Sequence, residues 1–323
     1  MPPKIFLCGA TGYIGGTVLD TLVQQHPEYD ITVLLRSEPT KFRQRYPNVQ
    51  IVRGDYDGGD VLSEQACKAE IVIHCGMSDH EPAMRALLAG LAQRTQPAYL
   101  IHLSGTGIVA DWHDTTYHGR LNPKIWSDVA DIAEMTSLPD TAFHRKVDRM
   151  ILNAAAAAAH GGKLRTAISI SMPMFVAEAK KVGAMFYAGE GANARSWVHI
   201  EDLMQVYVRL VEAAVDGGRG ADWGEEAYYF AGSQEASQRE VAAKVGRFLK
   251  THGVLATAEP KQLPFDEIAL LNGGHAWAGL GTYLWAANSR TRADLAEKLF
   301  GFKPSAPSLW ETLEEDLLAC IKG

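Results

Sequence analysis

The chain has 323 residues, a formal net charge of −7, 47% hydrophobic and 21% charged residues. This is ordinary for a soluble globular protein with a sizeable core, and long enough for about two domains. The acid excess and the lack of a concentrated basic patch exclude a nucleic-acid or anionic-membrane surface, and no stretch approaches the roughly 18 apolar residues of a membrane span.

The run Lys4–Cys8 is a short apolar strand ending in glycines, and Val18, Leu19, Leu22 and Val23 give Gly15–Gln25 helical spacing. Strands follow at Asp30–Leu35, Val49–Val52, Glu70–Cys75 (EIVIHC) and Tyr99–Ser104 (YLIHLS), with a basic loop at Lys41–Arg45 and a helix at Pro82–Arg94 between them. A long helix is expected to open at Lys146 and to run through Ala154–Ala159 to a stop at Gly161–Gly162, with a sixth strand at Thr166–Ser171. Apolar strands alternating with amphipathic helices predict a doubly wound parallel α/β sheet. Beyond residue 172 the pattern loosens, with helices at Ser237–His252 and Ser308–Ile321. We expect a Rossmann domain over residues 1–171, with 195–232 partly returning to it, and a smaller irregular α/β substrate domain over 172–323.

The first strand runs into CGATGYIGG, with glycines at 9, 12 and 15. At a strand-to-helix turn this spacing has a purpose. Gly9 permits the tight turn, Gly12 lets a pyrophosphate approach the backbone, and Gly15 lets the helix pack on the strand. The helix N-terminus supplies N–H groups and a positive dipole end. After the second strand stand Arg36 and Ser37, where an acid would serve the ribose 2′-hydroxyl of NAD. A guanidinium suits a 2′-phosphate, so NADP(H) is expected over NAD(H), the alternative being Glu38 as hydroxyl acceptor.

With these residues in view, the chain resembles the extended and atypical short-chain dehydrogenase/reductases, the epimerase/dehydratase and NmrA/isoflavone-reductase-like branches. The resemblance rests on GATGYIGG, VRGDYDGGDVL, VIHCGMSDH, RSWVHIEDLMQVYVRLVEAA and ANSRTRADLAEKLFGFKPS, and covers nearly the whole chain. It implies cofactor contacts from Gly9, Thr11, Gly12, Tyr13, Ile14 and Gly15, adenine contacts from Asp55 and Tyr56, and a loop beneath the cofactor at Cys75, Gly76 and Met77. It also implies a catalytic hydroxyl at Thr106, with Ser104 as a near alternative, and a ribose-binding Lys146. The family's tyrosine belongs four residues before that lysine, on the same helical face, where this chain has Ala142.

The substitutes open to the sequence are Lys146 itself, acting through water, with a solvated lysine as the competing reading, and His113 and Tyr117, in the loop after the fifth strand, where a polar surface loop is the competing reading. His144 and Asp148 are spaced to pair on one helix face, and His144 would sit at the helix mouth if the helix began later. Cys8 and Cys75 end neighbouring strands and read as packing. Cys67 and Cys320 complete a set without C-x-x-C spacing, which fits a reducing compartment and, with no leader sequence, the cytoplasm. No metal-ligand spacing is present, His113 and His118 being five apart in a loop. Phe186, Tyr187, Trp197 and Trp277 would line a substrate cleft or fill core.

The expectation is an atypical NADP(H)-dependent reductase for a small apolar or aromatic carbonyl, enone or imine. A non-catalytic NADP-binding sensor and a redox-neutral epimerase or dehydratase stay open. The partner is a small-molecule substrate, not nucleic acid or membrane, and a homodimer is compatible with this reading.

Overall fold

The computed structural model describes residues 2–157, 172–271 and 279–322. The expected strand Thr166–Ser171, the helix stop at Gly161–Gly162, Ala158, Ala159 and Trp277 lie outside the described residues. The first half alternates strand and helix: β1 (Lys4–Cys8), α1 (Tyr13–Gln25), β2 (Asp30–Leu35), α2 (Phe42–Arg45), β3 (Gln50–Arg53), α3 (Gly59–Lys68), β4 (Ile71–His74), α4 (Glu81–Ala92) and β5 (Tyr99–His102). The basic run at Lys41–Arg45, expected as a loop, closes instead into the single turn of α2. Phe42 buries itself there beneath the sheet end.

These strands form one sheet, in the order β3-β2-β1-β4-β5, parallel throughout. Alternation along each strand builds two cores. Ile5, Leu7, Ile71, Ile73 and Ile101 face one side, and Phe6, Cys8, Val72 and Leu100 face the other. The strand order reverses direction between β1 and β4, and in open α/β sheets ligands bind at such a switch point, beyond the carboxyl ends of the strands.

The chain continues through β6 (Trp126–Ser127), α5 (Ile132–Thr136), α6 (Arg145–Ala157), α7 (Met172–Val182), β7 (Phe186–Ala188), β8 (Ala194–Trp197) and α8 (Ile200–Val215). Helix α6 lays Val147 and Ile151 on the α3/α4 side of the sheet. Helix α8 buries Leu203, Val206, Tyr207 and Leu210 on the opposite side, beside α1. The remainder is β9 (Gln234–Ser237), α9 (Gln238–Thr251), β10 (Lys261–Leu263), α10 (Phe265–Leu270), α11 (Leu280–Trp285), β11 (Thr291–Arg292), α12 (Asp294–Phe300) and α13 (Leu309–Lys322). A separate core joins α7, β7, α9, α11 and α13 around Phe175, Phe186 and Trp285. Phe186 and Trp197 are therefore core side chains, whereas Tyr187 is half-buried beneath the Arg239 guanidinium at 5.3 Å. Among the described residues no helix is long and apolar enough to cross a membrane, and no cluster of metal-ligating side chains occurs.

Candidate active site

The glycine turn leaves no room for side chains. Gly9 has φ +89°, and a Cβ there would stand 2.6 Å from the Cys75 carbonyl carbon and oxygen. A Cβ on Gly15 would strike the Gly9 carbonyl oxygen. Gly12 caps α1 with extended backbone and offers no side-chain cap, and the first turn of α1 carries no acidic residue. Its N–H groups are left for an outside anion. Thr11 and Tyr13 are exposed at this mouth, and Ile14 packs half-buried on the core.

A cavity of about 750 Å³ opens between this turn and the segment Pro39–Tyr46. Asp20 on its wall is neutralised by Arg45 at 2.5 Å and accepts from the Tyr46 hydroxyl at 2.6 Å. Arg36 and Ser37 stand exposed after β2, and Arg36 has no ion-pair or hydrogen-bond partner among the described residues. Glu38 is held by Arg43 at 3.1 Å and Arg53 at 3.5 Å, so its carboxylate is engaged.

Asp55 closes its own turn, its Oδ1 accepting from the N–H of Asp57 and of Gly58 at 3.1 Å each. Tyr56 lies across Gly76, its hydroxyl occupying the space a Cβ would need, with its ring edge-on to His74 at 5.6 Å. The backbone N–H of Cys75 donates to the Cys8 carbonyl at 2.9 Å, which places the two cysteines on adjoining strands. Burial pushes the Cys75 thiol up to about 12 and raises Cys8 as well, so both are inert packing. Met77 is exposed at the end of this loop.

After β5, Ser104 is buried and donates to Asp148 Oδ2 at 3.1 Å, which ties it to α6. Thr106 opens a 3₁₀ turn, Thr106–Val109, and is buried; its carbonyl accepts from Ser289 Oγ at 2.8 Å. His113 is exposed, packed on the Trp112 ring, and Tyr117 is half-buried.

Two expectations on α6 are corrected. The helix begins at Arg145, so Ala142 lies in the preceding turn and shares no helical face with Lys146. The buried Arg145 guanidinium fixes that turn by donating to the Leu138 carbonyl at 2.8 Å and to the Thr136 carbonyl. His144 does not pair with Asp148. Its backbone is left-handed, φ +65°, which turns the ring towards the loop after β4. There Nδ1 meets Asp79 at 2.9 and 3.0 Å and Ser78 Oγ at 3.3 Å. Lys146 itself is exposed, with no partner among the described residues.

Several residues here escaped sequence reasoning. Tyr283 of α11 reaches across Gly107, packs on Phe143 at 4.7 Å, and lies beneath the Arg195 guanidinium at 4.8 Å. Burial raises the Tyr283 hydroxyl, and the Arg195 cation pulls the other way. Phe143 in turn stacks on Trp112 at 4.6 Å. Behind them, His74 and His102 meet Nδ1 to Nδ1 at 3.0 Å, fully buried. None has a local signal, because each depends on segments far apart in the chain.

No family model matches the chain. It is 29% identical over 343 residues to the oxidase UcsJ of an Acremonium species, covering 97% of this chain and 96% of that one. It is 24% identical over 256 residues to the uncharacterized protein YLL056C of Saccharomyces cerevisiae, covering 76% of this chain and 80% of that one. Among solved structures it is similar to a dTDP-glucose 4,6-dehydratase from Bacillus anthracis in complex with NAD, with TM-score 0.66, 15% identity, and coverage of 99% and 97%. A UDP-glucuronic acid 4-epimerase from Bacillus cereus in complex with NAD gives TM-score 0.61, 15% identity, and coverage of 99% and 97%. The fold is that of the extended short-chain dehydrogenase/reductases. Within that fold the glycine turn, the loop Cys75–Met77 and Thr106 all lie along the carboxyl edge of the sheet, around the switch point between β1 and β4.

Proposed function

We propose that this chain is an NADP(H)-dependent oxidoreductase of atypical short-chain type. It acts on a small apolar or aromatic carbonyl, enone or imine, or on the corresponding reduced compound. The observation that carries the reading is the uncapped N-terminus of α1 behind a turn whose glycines admit no side chain. Gly9 to Gly15 would hold the pyrophosphate, Tyr56, Gly76 and Met77 would border the rest of the dinucleotide, and Lys146 would reach the ribose. The unpaired Arg36, with Glu38 already engaged by two arginines, supports a 2′-phosphate. When bound, the nicotinamide supplies or takes the hydride, and Thr106 polarises the reacting oxygen. The oxidase UcsJ speaks for chemistry that also runs towards oxidation.

The test is fluorescence titration with NADPH and NADH. NADPH is expected to bind at least about tenfold tighter, with Arg36→Gln erasing the difference; equal affinity in the unaltered protein would sink the NADP(H) assignment. Absorbance at roughly 340 nm over a panel of carbonyls, enones, imines and alcohols then reads turnover. A second reading, an NADP-binding sensor without turnover, is favoured by the solvent-exposed Lys146 and by a helix α6 that begins too late to carry the family's tyrosine. Tight binding with no turnover on that panel would select it. Redox-neutral epimerisation or dehydration, named for the fold neighbours, predicts product formation with no net change in absorbance.

A further inference from the structure

We propose that His144, aimed by Asp79, is the proton donor and acceptor of this site, filling the role left by the missing tyrosine. The proposal rests on the oxidoreductase reading above.

His144 is one of two non-glycine residues with positive φ among the described residues. Such backbone persists only where its surroundings over-determine it, and it gathers at working sites. Here it aims an imidazole that α6 would otherwise turn elsewhere. An ionised carboxylate only accepts, so the Asp79 contacts fix Nδ1 as the protonated nitrogen. Nε2 is left as the working atom. It is buried and has no hydrogen-bond partner among the described residues.

The direction of Nε2 identifies its task. It lies 3.0 Å from the position a Cβ on Gly107 would take, and the Tyr283 hydroxyl, which leans on the Arg195 guanidinium, lies 3.1 Å from that same position. Gly107 directly follows Thr106. An unsatisfied imidazole nitrogen and a buried hydroxyl thus converge on Gly107, which offers no side chain, beside the expected catalytic hydroxyl. Buried polar groups are ordinarily satisfied, so an Nε2 left open at a ligand edge points to a polar atom supplied from outside. Ligand entry must part these elements, since both atoms are sealed from solvent. Of the rival donors, His113 and Lys146 are exposed.

In reduction, the hydride and its electron pair go to the substrate carbon, and the C=O π pair moves to oxygen. Nε2–H of the imidazolium supplies the proton that neutralises that oxygen, leaving a neutral imidazole with Nδ1–H on Asp79. Solvent then returns the proton to Nε2. Oxidation runs the same transfers backwards, the alcohol O–H proton passing to neutral Nε2. Asp79 is a positioning residue, holding the tautomer and the ring plane.

The test uses the full chain, ¹⁵N-labelled at histidine, with and without NADPH. His144→Asn assigns the resonance and suits a left-handed backbone. The His144 imidazole is expected to show a protonated Nδ1 and to shift on NADPH binding. Asp79→Asn should abolish the protonated Nδ1 signature while NADPH affinity stays within about twofold. In turnover of the substrate found on the panel, His144→Asn should lose about 10²- to 10⁴-fold in kcat at unchanged NADPH affinity, and Tyr283→Phe less than about tenfold. A His144 resonance indifferent to bound NADPH, or a larger loss in Tyr283→Phe than in His144→Asn, overturns the proposal. A chain that binds no NADPH sinks the oxidoreductase reading, and this proposal with it.

Discussion

A methyl group on Gly15 has nowhere to go. It would meet the Gly9 carbonyl oxygen and stand 3.0 Å from the Cys75 Cβ, and the Gly9 backbone blocks relief. Gly15→Ala is therefore expected to cost about 1–3 kcal/mol of stability and to weaken NADPH binding more than tenfold, read by urea unfolding and fluorescence titration. A variant that stayed both as stable and as tight would contradict the close packing of α1 on β4. His74 makes a different point. Burial pushes its imidazole down to about 4, so the native state refuses a proton that the unfolded chain accepts near 6.5. As pH falls from about 6.5 to about 4 the unfolded state binds more protons, and stability declines by roughly 3 kcal/mol. Asp128 works in the opposite sense. Its buried carboxyl is pushed up to about 7, so its contribution is present at low pH and is lost as pH rises through that value. The difference in stability between the unaltered protein and His74→Gln, measured by denaturant titration from pH 4 to 7, isolates the histidine. A flat difference would show that His74 is not held neutral.

Side-chain caps close several helices, whereas α1, like α3, follows a glycine that offers none. His80 caps α4 by accepting from Ala83 N–H at 3.1 Å, and His199 caps α8 by accepting from Glu201 N–H at 3.3 Å. Ser237 and Glu240 close a reciprocal capping box on α9. Only a glycine precedes α1. Ser237→Ala is expected to lose about 1 kcal/mol of stability with NADPH affinity unchanged. Gly12→Ser puts a hydroxyl where the ligand's oxygens would bind and crowds the Gly9 carbonyl oxygen at 3.3 Å, so NADPH affinity should fall at least about tenfold. Equal affinity would mean that the helix end is not the anion site. These helices were legible because their signals are local: apolar periodicity, and at α9 a serine three residues before a glutamate. The turn before α6 was not. It is set by Arg145 reaching back to the Leu138 and Thr136 carbonyls, and no periodicity in TAFHRKVDRM records that turn.

At the scale of the whole molecule, Asn288 joins three distant segments. Its backbone N–H donates to Asp111 Oδ1 at 2.7 Å, its amide donates to Asp111 Oδ2 and the Arg120 carbonyl at 2.9 Å each, and its Oδ1 accepts from Ala194 N–H at 2.9 Å. Asn288→Leu strands these half-buried and buried partners and is expected to cost on the order of 3 kcal/mol, measured as a lowered urea midpoint. A midpoint unchanged from that of the unaltered protein would show the network to be dispensable. The sheet and its glycine turn were readable because their signals are local, apolar runs for the strands and a glycine triplet between β1 and α1. The proton-transfer corner was not, because Asp79, Gly107, His144 and Tyr283 come from four separate stretches, and the chemistry of each depends on the others. The tie between Asp111 and Asn288 also has a meaning in time, since 177 positions separate its two ends. At about 5–20 residues per second, a ribosome needs roughly ten to thirty seconds to pass from one to the other. During that interval the loop after β5 lacks its tie while strands β1 to β5 are already synthesised, so the turn proposed to cradle a cofactor exists before the loop proposed to shape the reaction site is fastened.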